Sequence, residues 1–503
     1  MTLLGNLELG FHVALSLKNV LYCFAGAAIG TMVGILPGIG PVTTIAMLLP
    51  LTFKMSPIGS LIMLSGIFYG SHHAGSTTAI MLNMPGEPSS VVICLDGHPM
   101  AHAGRAGAAL FIAAFASFFA GCVGVIIIAG LSPLLAQAAF LFGPAEYTSM
   151  IVMALVTASV LSSNALITNM AMSVVGLLLG VVGTDLNTGV LRYTFGFPGL
   201  DEGVNFVAVA VGLFAIAEIV TEMGQSERRR PLDTKLRGLL PTKADLQASW
   251  KPVLRGTVLG SLFGIMPGTG PLLSSFAAYA MERRLAKDPS RFGKGAIEGV
   301  AGPEAANNAA ALTHFIPMLT LGIPAGASFA LMLGALQIQG ITPGPEVVTN
   351  HPDLFWGVVA SMWIGNLMLL VLNLPMVGLW IRLLMVPYRL LYPAILVFCC
   401  IGVYAVSNSV FDVVLAAIFG LVGVVFKKLD CSPAPLILGL VLEPILEEHF
   451  RRTILLSRGD FTVFFTQPIS LGFLVMTIVL VFLFARRRAP QPQDIAQDAH
   501  AAP

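Results

Sequence analysis

Gly30-Thr-Met-Val-Gly-Ile-Leu-Pro-Gly-Ile-Gly-Pro41 recurs as Gly260-Ser-Leu-Phe-Gly-Ile-Met-Pro-Gly-Thr-Gly-Pro271, with seven of the twelve positions identical. Each copy sits inside an apolar stretch, and its Pro-Gly-x-Gly-Pro core ends one helix and starts another. Proline removes an N–H and clashes with the preceding turn, while glycine allows the reversed dihedrals of a tight turn. In hydrocarbon an unpaired backbone group is costly, so a broken helix survives only where protein buries it or where it lines a watery cavity. Such a break, placed alike in two halves of a membrane chain, points to a transporter's binding site.

The composition fits that setting. The chain has 503 residues, of which 56% are hydrophobic and 11% charged, and its mean hydropathy is +0.85. Ala108 to Gly130, Ala165 to Gly183, Leu354 to Trp380 and Gln467 to Ala485 are each long enough to span a core of about 30 Å at about 20 residues per helix. The same rule predicts about 10 to 12 spanning or re-entrant segments. The expected class is an all-α polytopic membrane protein. A net charge of +1 without a basic face removes nucleic acid as a partner. The six cysteines have no paired spacing and read as small buried hydrophobes. Met1 to Leu17 carries Glu8 and lacks a basic n-region, so the first helix is expected to stay.

Similarity between the halves extends past the opening phrase. Asn83-Met-Pro-Gly-Glu-Pro-Ser-Ser90 resembles Gly322-Ile-Pro-Ala-Gly-Ala-Ser328, a second break in each half. Gly176-Leu-Leu-Leu-Gly-Val-Val182 resembles Gly420-Leu-Val-Gly-Val-Val425, and Gly212 to Glu218 resembles Gly439 to Glu447. The expected organisation is a first membrane repeat over 1–224, a basic cytoplasmic linker over 225–252, a second repeat over 253–488 and a polar tail over 489–503. Positive loops mark the cytoplasmic side. They place the linker, the Glu282 to Lys294 loop and Arg486 to Arg488 inside, with a cytoplasmic C-terminus. If both flanks of Arg255 to Met281 are cytoplasmic, that segment enters and returns as a re-entrant hairpin. His102 to Arg105 is basic where Pro345 to Asp353 is acidic, and Thr184 to Gly203 is acidic where Lys427 and Lys428 stand in its counterpart. Equivalent loops then lie on opposite faces, which favours an inverted-topology repeat.

The second proline of each phrase suits the first turn of a new helix, whose N-terminus presents unpaired N–H groups and about half a positive charge. Hydroxyls follow at Thr43, Thr44, Ser274 and Ser275. With Gly38, Gly40, Gly268 and Gly270 they form a candidate site for anionic oxygens, and two facing tips can hold both ends of a dicarboxylate or tricarboxylate. The plainer reading is a packing kink, since glycine and proline are frequent in membrane helices. At the second breaks, unwound carbonyls at Asn83, Pro85, Gly86, Gly322, Pro324 and Ala325 are candidates for a coupling cation. Upstream, Ser76, Thr77, Asn307 and Asn308 are further substrate-binding candidates, because Asn in an alanine run is costly in lipid without a partner. Histidines 72, 73, 98 and 102, with Glu87, Asp96 and Arg105, invite a metal or catalytic reading. No H-E-x-x-H, G-x-S-x-G or Walker phrase supports it. His98 to Arg105 reads as a loop, and Glu443, Glu447, Glu448, Arg451 and Arg452 read as interfacial ion pairs.

Gly34 to Pro41, Tyr69-Gly-Ser-His-His-Ala-Gly-Ser-Thr-Thr78, Asn83 to Ser90 and Pro303-Glu-Ala-Ala-Asn-Asn308 together resemble the large membrane subunit of the tripartite tricarboxylate transporters. The resemblance runs from about Gly26 to Arg488. It implies a bacterial inner-membrane secondary importer of citrate-like carboxylates, driven by a sodium or proton gradient and not an enzyme. It implies no cofactor and two partners, a small membrane subunit and a periplasmic substrate-binding protein. By analogy with other binding-protein-dependent transporters, the broken hairpins are expected to move as an elevator against a scaffold of uninterrupted helices. The competing readings are a channel or passive exporter, and an intramembrane enzyme at His72, His73 and Glu87.

Overall fold

The computed structural model describes residues 2–35, 40–161, 165–185, 187–222, 240–266, 270–374, 376, 379 and 388–484. Gly38, Gly268, most of the 225–252 linker, Arg486 to Arg488 and the 489–503 tail lie outside the described residues. The first part of the chain forms α1 (Leu3–Ala14), α2 (Leu17–Ile35), α3 (Pro41–Thr52), α4 (Pro57–Leu82), α5 (Val91–Met100), α6 (Ala106–Ala139), α7 (Pro144–Leu161) and α8 (Leu166–Gly180). A short hairpin of β1 (Gly183–Thr184) and β2 (Leu191–Arg192) follows, then α9 (Phe206–Ala210) and α10 (Ala217–Glu222), joined by the π turn Val211–Ile216. The second part forms α11 (Lys243–Ile265), α12 (Gly270–Leu285), α13 (Glu298–Thr313), α14 (Phe315–Leu321), α15 (Ala327–Ile338), α16 (Pro345–Asn350) and α17 (Pro352–Asn373). It ends in α18 (Tyr388–Ser407), α19 (Val410–Lys428), α20 (Ala434–Leu456), α21 (Val463–Thr466) and α22 (Pro468–Phe484).

This is an all-α polytopic membrane fold. Leu17–Ile35, Pro88–Ala139, Pro352–Asn373 and Val410–Lys428 are long and apolar enough to cross a membrane, and seven shorter apolar helices accompany them. Outer helices turn large apolar side chains outward, among them Ile167, Leu178, Phe398, Leu421 and Phe482. Two helices are enclosed instead. Every residue of α4 from Gly59 to Met81 is buried, and so is every residue of α13 from Gly299 to Thr313. A helix with no outward face belongs at the centre of a bundle.

Glycines at every fourth position seat a neighbour against each central helix. In α2, Gly26, Gly30 and Gly34 lie on the carbonyls of Met63, Ile67 and Ser71 in α4. In α11, Gly256, Gly260 and Gly264 lie on those of Gly302, Ala306 and Ala310 in α13. Small residues let membrane helices approach until their backbones touch, which supplies dispersion contact where lipid gives no hydrophobic drive. A second pair of seams crosses between the halves. Gly176 of α8 and Gly439 of α20 pack on each other's helix, while Gly212 packs on the Ala416 carbonyl and Gly420 on Ile216. In each crossed seam a segment from one half meets the counterpart of its own successor.

Three expected segments differ in extent. Ala165 to Gly183 is helical only over Leu166–Gly180, because Gly183 at φ 117 turns the chain into β1. Leu354 to Trp380 is helical over Pro352–Asn373, with Trp380 outside the described residues, and the Gln467 segment begins at Pro468, with Ala485 outside them. His98 to Arg105 is no open loop. Helix α5 continues through Met100 with His98 Nδ1–H donating to the Ile80 carbonyl at 3.0 Å, and a π turn over Ala101–Arg105 breaks at Gly104, φ 77.

Candidate functional site

The two repeated breaks close their helices in the same way. Helix α4 ends on Asn83 in the left-handed conformation at φ 55, and α14 ends on Gly322 at φ 71, the conformation that caps helices and that Asn and Gly reach most readily. Asn83 and Pro85 are exposed, whereas Gly322, Pro324 and Ala325 are buried. Gly86 N–H donates to the Gly75 carbonyl at 3.4 Å, and its bare Cα rests on the Gly34 carbonyl of α2. Among the described residues no hydrogen bond joins the Asn83–Gly86 break to the Gly322–Ala325 break.

Helices α3 and α12 are the second arms of the two broken segments, and α3 starts at Pro41 behind Gly40. Their hydroxyls are already engaged. Thr43 donates to the Phe214 carbonyl at 3.2 Å and Thr44 to Gly40 at 3.1 Å. Ser274 donates to Pro271 and Ala306, and Ser275 to Pro271 and Pro303. These protons therefore pin the second arms to their surroundings, as helix serines and threonines do when they bond back to a carbonyl. What remains for an anion at these positions is the backbone N–H of the helix starts.

The polar side chains that converge are elsewhere. Glu304, at the centre of α13 and fully buried, accepts from Ser117 Oγ of α6 at 2.6 Å and from Asn308 Nδ2 at 3.0 Å through Oε1, and from Ser76 of α4 through Oε2. Glu87, which opens the 3₁₀ turn Pro88–Ser90, meets His72 Nε2 through Oε2 at 3.0 Å. Its Oε1 accepts from Asn307 Nδ2 at 3.2 Å and contacts Ser89 Oγ. Ser89 Oγ also lies 2.9 Å from Asn307 Oδ1. Adjacent Asn307 and Asn308 thus each hold one carboxylate, Asn307 that of Glu87 and Asn308 that of Glu304 on its own helix. Of the candidates read from the sequence, Ser76, Asn307 and Asn308 come together here and Thr77 lies one residue away. Sequence reasoning placed none of Glu304, Glu87, His72, Ser89 and Ser117 in the substrate or coupling site; His72 and Glu87 entered only the competing enzyme reading. The available signal was a glutamate in an alanine run and one serine in an apolar helix.

Next to Ser76 is a small cavity lined by His73, Thr77, Leu110, Ala113 and Asn373. His73 Nε2 and Asn373 Oδ1 are buried there without a hydrogen-bond partner. Among the described residues no group of three or more His, Cys, Asp or Glu is placed to hold a metal ion. Of the charged residues of α20 read as ion pairs, Glu447 and Arg451 form them. Arg451 bridges Glu447 at 2.7 Å and Asp185 at 2.8 Å, and Glu447 also pairs with Arg192 at 2.7 Å. The Asn187 backbone amide and the Arg451 guanidinium hold the Asp185 carboxyl down at about 2, so the hairpin stays tethered at any physiological pH.

A profile of the tripartite tricarboxylate transporter TctA family matches residues 20–438. An uncharacterized 52.8 kDa protein in the TAR-I ttuC' 3' region of Agrobacterium vitis is 52% identical over 483 residues, 96% of each chain. An uncharacterized protein in the TAR-II ttuC' 3' region of the same organism is 57% identical over 224 residues, covering 44% of this chain and 93% of its own. No solved structure matches the chain.

Proposed function

The chain belongs to the tripartite tricarboxylate transporter TctA family, and from that membership we propose that it is the large membrane subunit of a secondary carboxylate importer in a bacterial inner membrane. A small membrane subunit and a periplasmic binding protein complete the assembly, and a sodium or proton gradient drives uptake of a di- or tricarboxylate. As a member of a transporter family it works by moving its substrate and not by transforming it.

The observation that carries this reading is the doubled helix break. Helices α2 with α3, and α11 with α12, are broken by the same phrase, and each is seated by glycines at the same spacing on a fully buried helix that carries polar groups. Matching helix breaks that converge on interior polar residues are what a transporter needs at its substrate site. The crossed seams of α8 with α20 and of α19 with the Gly212 segment support two repeats over 1–224 and 253–488. On this account the repeats are inverted, and the tips around Gly38, Gly40, Gly268 and Gly270 offer helix N-termini to the two ends of the substrate. The hairpins move as an elevator against the long helices α6 and α17.

Gly40→Leu tests the placement of the substrate. Nothing lies within 4 Å of a Cβ built at Gly40, so the variant is expected to insert and fold normally. Its side chain fills the space in front of α3, and uptake should fall at least about tenfold, equivalent to about 1.4 kcal/mol of lost binding. Uptake by a normally folded Gly40→Leu protein at the wild-type rate would place the substrate elsewhere.

A further inference from the structure

We infer that Glu304, Glu87 and His72 form the coupling site of the transporter, and that the ion taken there is a proton. The inference rests on the secondary-transport reading above. It assigns the ion to side chains, whereas the sequence had pointed to the carbonyls of the two breaks.

Counting protons makes the first argument. The Phe68 carbonyl can only accept, so His72 Nδ1, 2.9 Å away, carries a hydrogen. The 3.0 Å contact between His72 Nε2 and Glu87 Oε2 needs another. Ser89 has a single hydroxyl proton but faces two acceptors, Glu87 Oε1 and Asn307 Oδ1. His72 therefore has both ring hydrogens committed as an imidazolium, and with Ser89's single proton shared between two acceptors this side of the cluster has no hydrogen to give Glu304.

Charge makes the second. Glu304 is met by the hydroxyls of Ser76 and Ser117 and by the Asn308 amide, all neutral. One imidazolium at His72 balances only one of the two carboxylates. The cluster then carries a net negative charge in the interior, where burying an uncompensated charge is costly. One added proton removes it: hydronium in the outer solution gives up a proton, its O–H bond breaking as one forms on the Glu304 carboxylate and leaving water, and the reverse step on the far side returns the proton to water. A sodium ion needs oxygen lone pairs turned toward it. Here the O–H and N–H hydrogens of Ser76, Ser117 and Asn308 already occupy the space around the carboxylate.

Access makes the third. Ser76 separates Glu304 from the cavity in which His73 Nε2 and Asn373 Oδ1 have no partner. Unpaired buried polar atoms beside a cavity are where water enters, so a proton reaching His73 is one serine from Glu304. Most other ionisable groups around α13 are paired or lie toward its surroundings, where Lys243, Lys251 and Arg284 are exposed and Arg283 is half-buried. Arg255 of α11 is paired with Glu282 of α12, and Asp96 of α5 is held by Tyr279 and three backbone amides. His314 donates to the Ala310 carbonyl, Glu298 pairs with Arg291, Arg105 pairs with Asp245, and α6 adds only Cys122.

The test uses the whole transporter with its partner subunits in proteoliposomes. Accumulation is measured under an acid-outside pH gradient with sodium absent, and under a sodium gradient at equal pH, with a pH dye inside the vesicles. Wild type is expected to accumulate substrate and acidify the interior under the pH gradient alone. Glu304→Gln imitates the protonated acid, so it should still exchange labelled for unlabelled carboxylate while losing accumulation down to equal concentrations on both sides. Accumulation driven by the sodium gradient alone overturns the proton assignment, as does undiminished pH-driven accumulation in Glu304→Gln. A folded Glu304→Gln protein that loses exchange as well shows that Glu304 serves the substrate instead. The wild-type comparison decides the ion even if the variant does not fold. Wild type that accumulates under neither gradient contradicts the transporter reading itself.

Discussion

Gly260→Leu is expected to leave almost no folded protein in the membrane. A Cβ at this position would collide with the Ala306 carbonyl oxygen and approach the Ala306 Cα to 2.7 Å and its carbonyl carbon to 2.8 Å. All three are backbone atoms of α13, so no rotamer change relieves the overlap, and α11 has to move off the helix it packs against over most of its length. Extra methylenes in a well-packed interior typically cost about 1–3 kcal/mol, and a collision with backbone exceeds that range. Native stability is itself only about 5–15 kcal/mol. Gly30→Leu should behave alike, since its Cβ would lie 2.5 Å from the Ile67 carbonyl. Size-exclusion of a fluorescent fusion reads the monodisperse fraction, with Gly40→Leu as the control that keeps it. Wild-type yields of Gly260→Leu would mean that α11 and α13 do not meet through this glycine stripe.

Glu87→Ala should lower stability by about 3–5 kcal/mol, the range for removing one partner of a buried charge pair. His72 Nε2, Asn307 Nδ2 and Ser89 Oγ would all lose an acceptor at a buried site. His72→Ala should cost a similar amount. The double variant should cost clearly less than the sum, because each single change already breaks the shared contact; contacting residues show coupling of about 0.5–3 kcal/mol. Thermal denaturation of the purified protein measures all three. Additive losses would show that His72 and Glu87 do not act on each other.

How much of this was legible depended on how far apart in the chain the interacting residues lie. The glycines before each Pro-Gly-x-Gly-Pro were readable as seams, because Gly26, Gly30 and Gly34 repeat at the spacing of one helix face and recur as Gly256, Gly260 and Gly264. Asn83 and Gly322 were readable as helix ends for a local reason too, their tolerance of positive φ. The bonding of the hydroxyls after each phrase was not legible. A sequence shows that Thr44 or Ser274 is near a helix start but not that its proton bonds back to the chain, which is what the structure finds. The cluster around α13 was out of reach for a different reason: Ser117 is 187 residues from Glu304, and Ser89 is 218 from Asn307. Only the packing of α4, α6 and α13 brings them together. His72 is bonded at both nitrogens, and its partner Glu87 lies beyond the helix break, so no spacing rule could pair them. The extent of α8 was overread because apolar composition runs on past Gly180, whereas the left-handed Gly183 decides where the helix stops.

The account stands most directly on whether this chain drives a carboxylate uphill. The measurement is uptake into proteoliposomes that contain it with the proposed small membrane subunit, supplied with the proposed periplasmic binding protein in its loaded form, before and after an ion gradient is imposed. The predicted result is accumulation above the external concentration that appears with the gradient and collapses when an ionophore dissipates it. Flux that only ever runs down the substrate's own gradient, with or without the ion gradient, would contradict it and identify a channel or passive exporter.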